Sequence, residues 1–393
     1  MAAPGAGGPP QFDVLTEQAL RDGRSLKWSR YGRAIGAFVA EMDFGTAPAV
    51  TRALHGAVER GRLGYATPED AQDMARACAG WLGRRYGWHV SADSISPLPD
   101  VIAGLQAAIE QFTPPGTPVV LPTPAYMPFL AVPGSLGREL IEVPMVERDG
   151  RMSYDLDGIA AGFDRGARLV VHVNPHNPLG RVFDVDEQLA LADVVSAAGA
   201  RVFSDEIHAP LVYPGAVHRP YASLSAETAR HTVTATSTSK AWNVPGLKTA
   251  QLILTDPADV EHWARVGFLY GHGASTPGLL AASAAYDDGE DWLDDVLSYL
   301  DGNRQLLADL LAERLPQVRF TLPEGTYLAW LDCRPLGLEG SAGAFFLERA
   351  GVAVIDGPEC GAPGAGHVRL NFATPRPVLT TIVDRLAGAV TGR

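Results

Sequence analysis

Leu169-Val170-Val171-His172-Val173-Asn174-Pro175-His176-Asn177-Pro178-Leu179-Gly180 runs from a mostly apolar stretch into a polar, proline-flanked turn. Apolar runs of this kind suit strands covered on both faces, as in a mostly parallel sheet. The strand assignment spans Arg168–Val173. Comparable β-rich runs lie at Thr117–Leu121, Arg201–Phe203, Thr232–Ala235 and Gln251–Leu254. Many of the gaps between them carry helical periodicity. One helix begins at Asp184, with Glu187 three residues on as in a capping box, and carries Leu189, Leu191, Val194 and Val195. Another begins at Thr67-Pro68-Glu69-Asp70, with an N-cap, a proline at the first helical position and early acids. This alternation predicts α/β architecture.

The texture changes after about residue 288. A long helical stretch, Asp291–Leu315, leads to strands at Gln317–Thr321 and Tyr327–Leu331. A helix at Ala342–Ala350, a strand at His367–Asn371 and a closing helix near Pro377–Val390 follow. The expected division is a large domain over 50–288 and a smaller α+β domain built from 11–49 and 289–393. Residues 1–10 read as a short disordered tail.

Composition narrows the possible partners. A net charge of −13 without a basic patch argues against nucleic acid and anionic membranes. Cys78, Cys333 and Cys360 are far apart and odd in number, and form no C-x-x-C pair, which fits a reducing compartment and no structural zinc site. No apolar run approaches the roughly 20 residues that span a bilayer. Met1–Pro10 lacks the basic and apolar regions of a signal peptide. The expected location is the cytoplasm. His262, Trp263, Arg265 and His272 show no metal-ligand spacing and read as structural, so no metal is expected.

Ligands of open α/β sheets bind beyond the carboxyl ends of the strands. Here three neighbouring strand ends differ in kind: Asn174-Pro175-His176-Asn177, Ser204-Asp205-Glu206-Ile207-His208, and Thr236-Ser237-Thr238-Ser239-Lys240. An amide, a carboxylate and a lysine gathered at one sheet edge are the groups that pyridoxal-phosphate (PLP) chemistry needs. A lysine amine holds the cofactor and shuttles the α-proton, and a carboxylate keeps the pyridine nitrogen protonated. Asn177 is placed to donate to the phenolate oxygen. Ser237 and Ser239 offer hydroxyls to the phosphate, and Tyr126 offers a ring face for stacking.

Further segments widen the pattern: Val39-Ala40-Glu41-Met42-Asp43-Phe44, Gly64-Tyr65, Glu324-Gly325-Thr326-Tyr327-Leu328 and Arg369-Leu370-Asn371. Together with the three strand ends, the chain resembles the fold-type I PLP-dependent aminotransferase superfamily. More narrowly, it resembles the cystathionine β-lyase-like branch, the MalY/PatB C–S lyases. The resemblance covers nearly the whole chain after the tail. It implies a mostly parallel seven-stranded sheet in the large domain, with PLP as cofactor.

By the same resemblance, Lys240 is the Schiff-base lysine, Asp205 the pyridinium partner and Asn177 the phenolate donor, with His208 near the same oxygen. Backbone N–H groups of Val101 and Ile102, with Ser237, Ser239 and Lys248, meet the phosphate. Ala40 and Arg369 bind substrate, the arginine through the α-carboxylate. Tyr65 reaches the phosphate of a neighbouring subunit, which makes the active unit a homodimer. Three positions depart from the branch: Phe38 and Glu41 near the substrate, and Asp100 in the phosphate turn, where it is read as a helix cap. The expected reaction cleaves cystathionine or a cysteine S-conjugate to thiol, pyruvate and ammonia. An aminotransferase, or a specialised-metabolite enzyme coupling decarboxylation to oxidative deamination, is the alternative on the same fold. A regulatory or binding protein is the alternative of another class.

Overall fold

The computed structural model describes residues 12–148 and 150–392. The expected tail at 1–10 lies outside them. Seven strands form the large sheet: β1 (Ile95–Leu98), β2 (Val119–Thr123), β3 (Leu140–Pro144), β4 (Leu169–Val173), β5 (Arg201–Asp205), β6 (Thr232–Thr236) and β7 (Ala250–Leu254). Their spatial order is β1-β7-β6-β5-β4-β2-β3. Strand β7 runs antiparallel to both neighbours, and the other adjacent pairs are parallel. The architecture is thus the expected α/β fold with a mostly parallel seven-stranded sheet.

Strands β2, β4, β6 and β7 are buried at every position, and their few polar residues, His172, Gln251 and threonines, are buried with the apolar ones. One side of the sheet packs Leu105, Val171, Phe203 and Leu252 into a core, and the other packs Val120, Val170, Val202 and Phe183. Both helix starts expected from sequence are present, and each is a capping box. Thr67 with Asp70 starts helix α1 (Pro68–Tyr86), and Asp184 with Glu187 starts the helix Val185–Ala197.

A second, antiparallel sheet has the order β8 (Arg319–Phe320), β9 (Leu328–Asp332), β11 (His367–Asn371), β10 (Ile355–Asp356). The 25-residue helix Glu290–Arg314 precedes it and Arg376–Thr391 closes the chain. The helix expected at Ala342–Ala350 opens as an α-turn and finishes as a π-turn from Phe346. The N-terminal segment is tied into this region: Ile35–Gly36 pairs in parallel with Val352–Ala353, and Asn371 Nδ2 donates to the carbonyls of Val39 and Glu41, at 2.7 Å each. A buried Lys27–Asp43 ion pair (2.9 Å) adds to this fastening, as Lys27 also donates to the Ala373 carbonyl.

Candidate active site

Sheet register brings the polar strand ends level. Asp205 pairs with Val173 on one side and Ala235 on the other, so the turns after β4, β5 and β6 leave the sheet at one edge. These turns, the start of helix α2 (Val101–Phe112) and the N-terminal segment surround a cavity of about 350 Å³. Lys240, Asp205, Asn177, His208, Ser239, Lys248, Tyr126, Val101, Ile102, Ala40 and Arg369 all line it.

Lys240 sits on a four-residue helix, Thr238–Ala241, and its Nζ donates to the Ala40 carbonyl at 3.0 Å. Burial, with help from the positive charge of Arg369, pushes this amine down to about 8. Asp205 ends β5 and is 4% exposed, and its carboxylate accepts one hydrogen bond, from Ile207 N at 3.1 Å. Its burial raises the carboxyl to about 7, despite that hydrogen bond and the opposing pull of Lys240. His208 is buried and held well below its usual range by desolvation, so it is neutral. Its Nδ1 has no partner.

Arg369 stands in the middle of β11, 2% exposed. Its Nη1 donates to Asn177 Oδ1 at 2.9 Å and its Nη2 to the Phe38 carbonyl at 2.7 Å, while Nε is unpartnered. Among the described residues no carboxylate forms an ion pair with it. A buried guanidinium without a counter-charge carries a large desolvation cost unless an anionic ligand meets it.

Asp100 is the N-cap of α2 and accepts from Ala103 N at 3.0 Å, so the helix-cap assignment holds. Its other oxygen pairs with Lys248 Nζ at 2.9 Å. The departure from the branch pattern therefore puts an acid beside the cation expected to meet phosphate. Ser237 takes a different place from the one expected. Its hydroxyl caps the helix at Ser239 N (3.0 Å) and lies 2.7 Å from the Thr249 carbonyl, and the residue does not line the cavity. The Ser239 Oγ is 2.9 Å from the same hydroxyl.

Tyr65 is not brought to this cavity within one chain. It is 91% exposed, stacks on His272 with ring centroids 6.0 Å apart, and lines a separate hollow of about 790 Å³ with Phe268 and Thr276. His272, read as structural, is thus its ring partner. Sequence reasoning missed Arg30, Tyr31, Met127, Thr249, Ile355 and Glu359, which also line the Lys240 cavity. Thr249 lies two residues before a recognised strand and could have been found from that position. Met127 directly follows Tyr126 and could have been found the same way, whereas Arg30, Tyr31, Ile355 and Glu359 carry no local signal, because only the meeting of the N-terminal segment with the second sheet brings them in.

The donor set fits PLP. Helix α2 directs its first backbone N–H groups at the cavity, suited to a phosphate. Thr249 Oγ1, His208 Nδ1 and Arg369 Nε are buried polar atoms waiting for partners, and Asp205 is a buried acid suited to a cationic ring nitrogen. Among the described residues, no group of three or more His, Cys, Asp or Glu is placed to hold a metal ion.

Fold and site define a fold-type I PLP enzyme. The chain belongs to the family described as aminotransferase class I and II, which it matches over residues 38–386. It is similar to the cystathionine β-lyase of Corynebacterium glutamicum, at 39% identity over 97% of this chain and 100% of that protein. The cystathionine β-lyase PatB of Bacillus subtilis is 32% identical over 93% of this chain and 97% of its own length. Among solved structures, the PLP-bound C–S lyase of Staphylococcus hominis superposes with a TM-score of 0.89 at 28% identity, covering 97% of this chain and 98% of that one.

Proposed function

We propose that this protein is a PLP-dependent carbon–sulfur β-lyase, cleaving cystathionine or another cysteine S-conjugate to a thiol, pyruvate and ammonia. The observation that carries the proposal is the meeting of Lys240, Asp205 and the unpaired Arg369 at one cavity, in a chain similar along nearly its whole length to cystathionine β-lyases.

PLP would be held by Lys240, Asp205, Asn177, His208 and Tyr126, with its phosphate met by Val101 N, Ile102 N, Ser239 and Lys248; Ser237 would hold Ser239 in place. When bound, PLP supplies the electron sink that stabilises negative charge at the substrate α-carbon. Arg369 grips the α-carboxylate, and Asn177 and the Phe38 carbonyl orient the guanidinium for it. Lys240 takes the α-proton on Nζ, which its depressed pKa leaves partly neutral near neutral pH. Asp205 holds negative charge against the ring nitrogen. Breakage of the β-carbon–sulfur bond then releases the thiolate.

Further features support the wider assignment. The floor of the cavity comes from 50–288 and its roof from 11–49 and 289–393, in keeping with a two-domain division. Tyr65, Phe268 and Leu269 are large exposed side chains on one neighbourhood of the surface, suited to a homodimer in which Tyr65 completes the partner's site. Cys78, Cys333 and Cys360 are free and buried, consistent with a cytoplasmic protein, and among the described residues no helix is long and apolar enough to cross a membrane.

Product analysis tests the reaction. Purified holoenzyme given L-cystathionine should release pyruvate, ammonia and thiol over many turnovers without a 2-oxo acid. Turnover that stops after one equivalent, resumes on adding a 2-oxo acid and leaves pyridoxamine phosphate would identify an aminotransferase instead.

A further inference from the structure

The Lys240 cavity is lined by a second guanidinium for which the lyase reaction, as described, has no use. Arg30 lies at its exposed rim, with its central carbon 5.5 Å from the Tyr31 ring centre and 5.8 Å from that of Phe38. The two rings meet edge to face at 5.0 Å, so they form one aromatic support. Cation–π contact to two rings fixes the guanidinium over the cavity without neutralising it. Among the described residues, no carboxylate pairs with Arg30.

Phe38 stands between the two arginines. Its carbonyl accepts from Arg369 Nη2, and its buried ring underlies Arg30. A substrate held by its α-carboxylate at Arg369 extends its sulfur-linked half toward the rest of the same cavity. Two unpaired guanidiniums on one cavity select a molecule with a carboxylate at each end. The rim also carries Glu359, whose Oε1 accepts from Asp356 N. This acid can meet an ammonium group on the far half, and it disfavours conjugates that carry excess negative charge there.

We propose that Arg30 is a specificity-determining residue that reads a carboxylate on the thiol half, so that the preferred substrates are conjugates whose leaving thiol is itself an amino acid. This inference rests on the lyase assignment. L-Cystathionine has such a thiol half, and S-ethyl-L-cysteine offers the same β-carbon–sulfur bond with a neutral one.

The test compares kcat/KM for these two compounds, from pyruvate release, in wild-type holoenzyme, Arg30→Gln and Arg30→Lys. Arg30→Gln should lose about ten- to a hundredfold on L-cystathionine, the scale of a charge-assisted hydrogen bond. Its loss on S-ethyl-L-cysteine should stay within about twofold, and Arg30→Lys should fall between wild type and Gln on L-cystathionine because it keeps the charge but not the fork. Added salt should raise the wild-type KM for L-cystathionine and leave that for S-ethyl-L-cysteine in place. Equal losses on both compounds, or none on L-cystathionine, would overturn the proposal. Failure of the lyase assignment looks different: wild-type enzyme would release pyruvate from neither compound, and the inference would fall with it.

Discussion

Asn177 Oδ1 accepts a hydrogen bond from Arg369 Nη1 at 2.9 Å, across 192 positions of sequence. The contact joins the turn after β4 to an inner strand of the second sheet. It also leaves a buried positive charge with neutral partners only, ready for an anion.

Arg369→Ala should therefore weaken substrate binding far more than it unfolds the protein. Removing one partner of a desolvated charge pair costs roughly 2–5 kcal/mol, so KM for L-cystathionine should rise by a factor on the order of 30 or more. Steady-state kinetics with a melting curve on the same preparation checks this. An unchanged KM would remove Arg369 from the substrate site.

Asp205 links the site to pH. Its carboxyl is raised from 3.8 to about 7 by burial in the protein without cofactor. A raised acid favours the folded state while protonated, so its contribution is complete below about 4 and disappears as pH climbs to 7. The loss amounts to something on the order of 4 kcal/mol. Asp205→Asn cannot ionise, so the apo variant should melt higher than apo wild type at pH 8, with the gap closing toward pH 4. With PLP bound the order of merit should reverse for activity, since the variant lacks the anion that keeps the ring nitrogen protonated. Melting curves across pH, and turnover of reconstituted enzyme, measure the two effects; a gap that does not change with pH would contradict the burial argument.

Lys240 and Tyr65 can be tested in one experiment. Borohydride should fix a pyridoxyl group on Lys240 of the yellow wild-type protein, as located by peptide mapping. Lys240→Ala and Tyr65→Ala homodimers should each be nearly inactive. Subunit exchange between them should restore about a quarter of wild-type sites, because half of the dimers become mixed and each then holds one intact site. No recovery after proven exchange would mean that Tyr65 does not act across subunits.

Much of this was legible in the sequence for a physical reason: strands covered on both faces are rich in apolar and β-branched residues, and helix N-caps write their spacing into the chain. Five of the seven large-sheet strands follow from that. The two that escaped, β1 and β3, are edge strands containing Pro97 and Pro144, and proline argues against strand assignment. Asp205 and Lys240 were legible because Asp205 ends one recognised strand and Lys240 lies four residues past the end of the next. Arg30 and Glu359 were not, since their place at the cavity depends on long-range crossing of segments. Ser237 shows the reverse error: proximity to Lys240 suggested direct contact, whereas its hydroxyl is spent on a helix cap.

The Ala40 carbonyl accepts from two donors, Lys240 Nζ at 3.0 Å and the Tyr327 hydroxyl at 2.9 Å. An acceptor with a single buried donor would resist losing it, because the bare oxygen would have neither water nor protein to replace the bond. Here Tyr327 remains when the lysine swings away. On the proposed function, the amine can therefore change partners without stranding a buried acceptor.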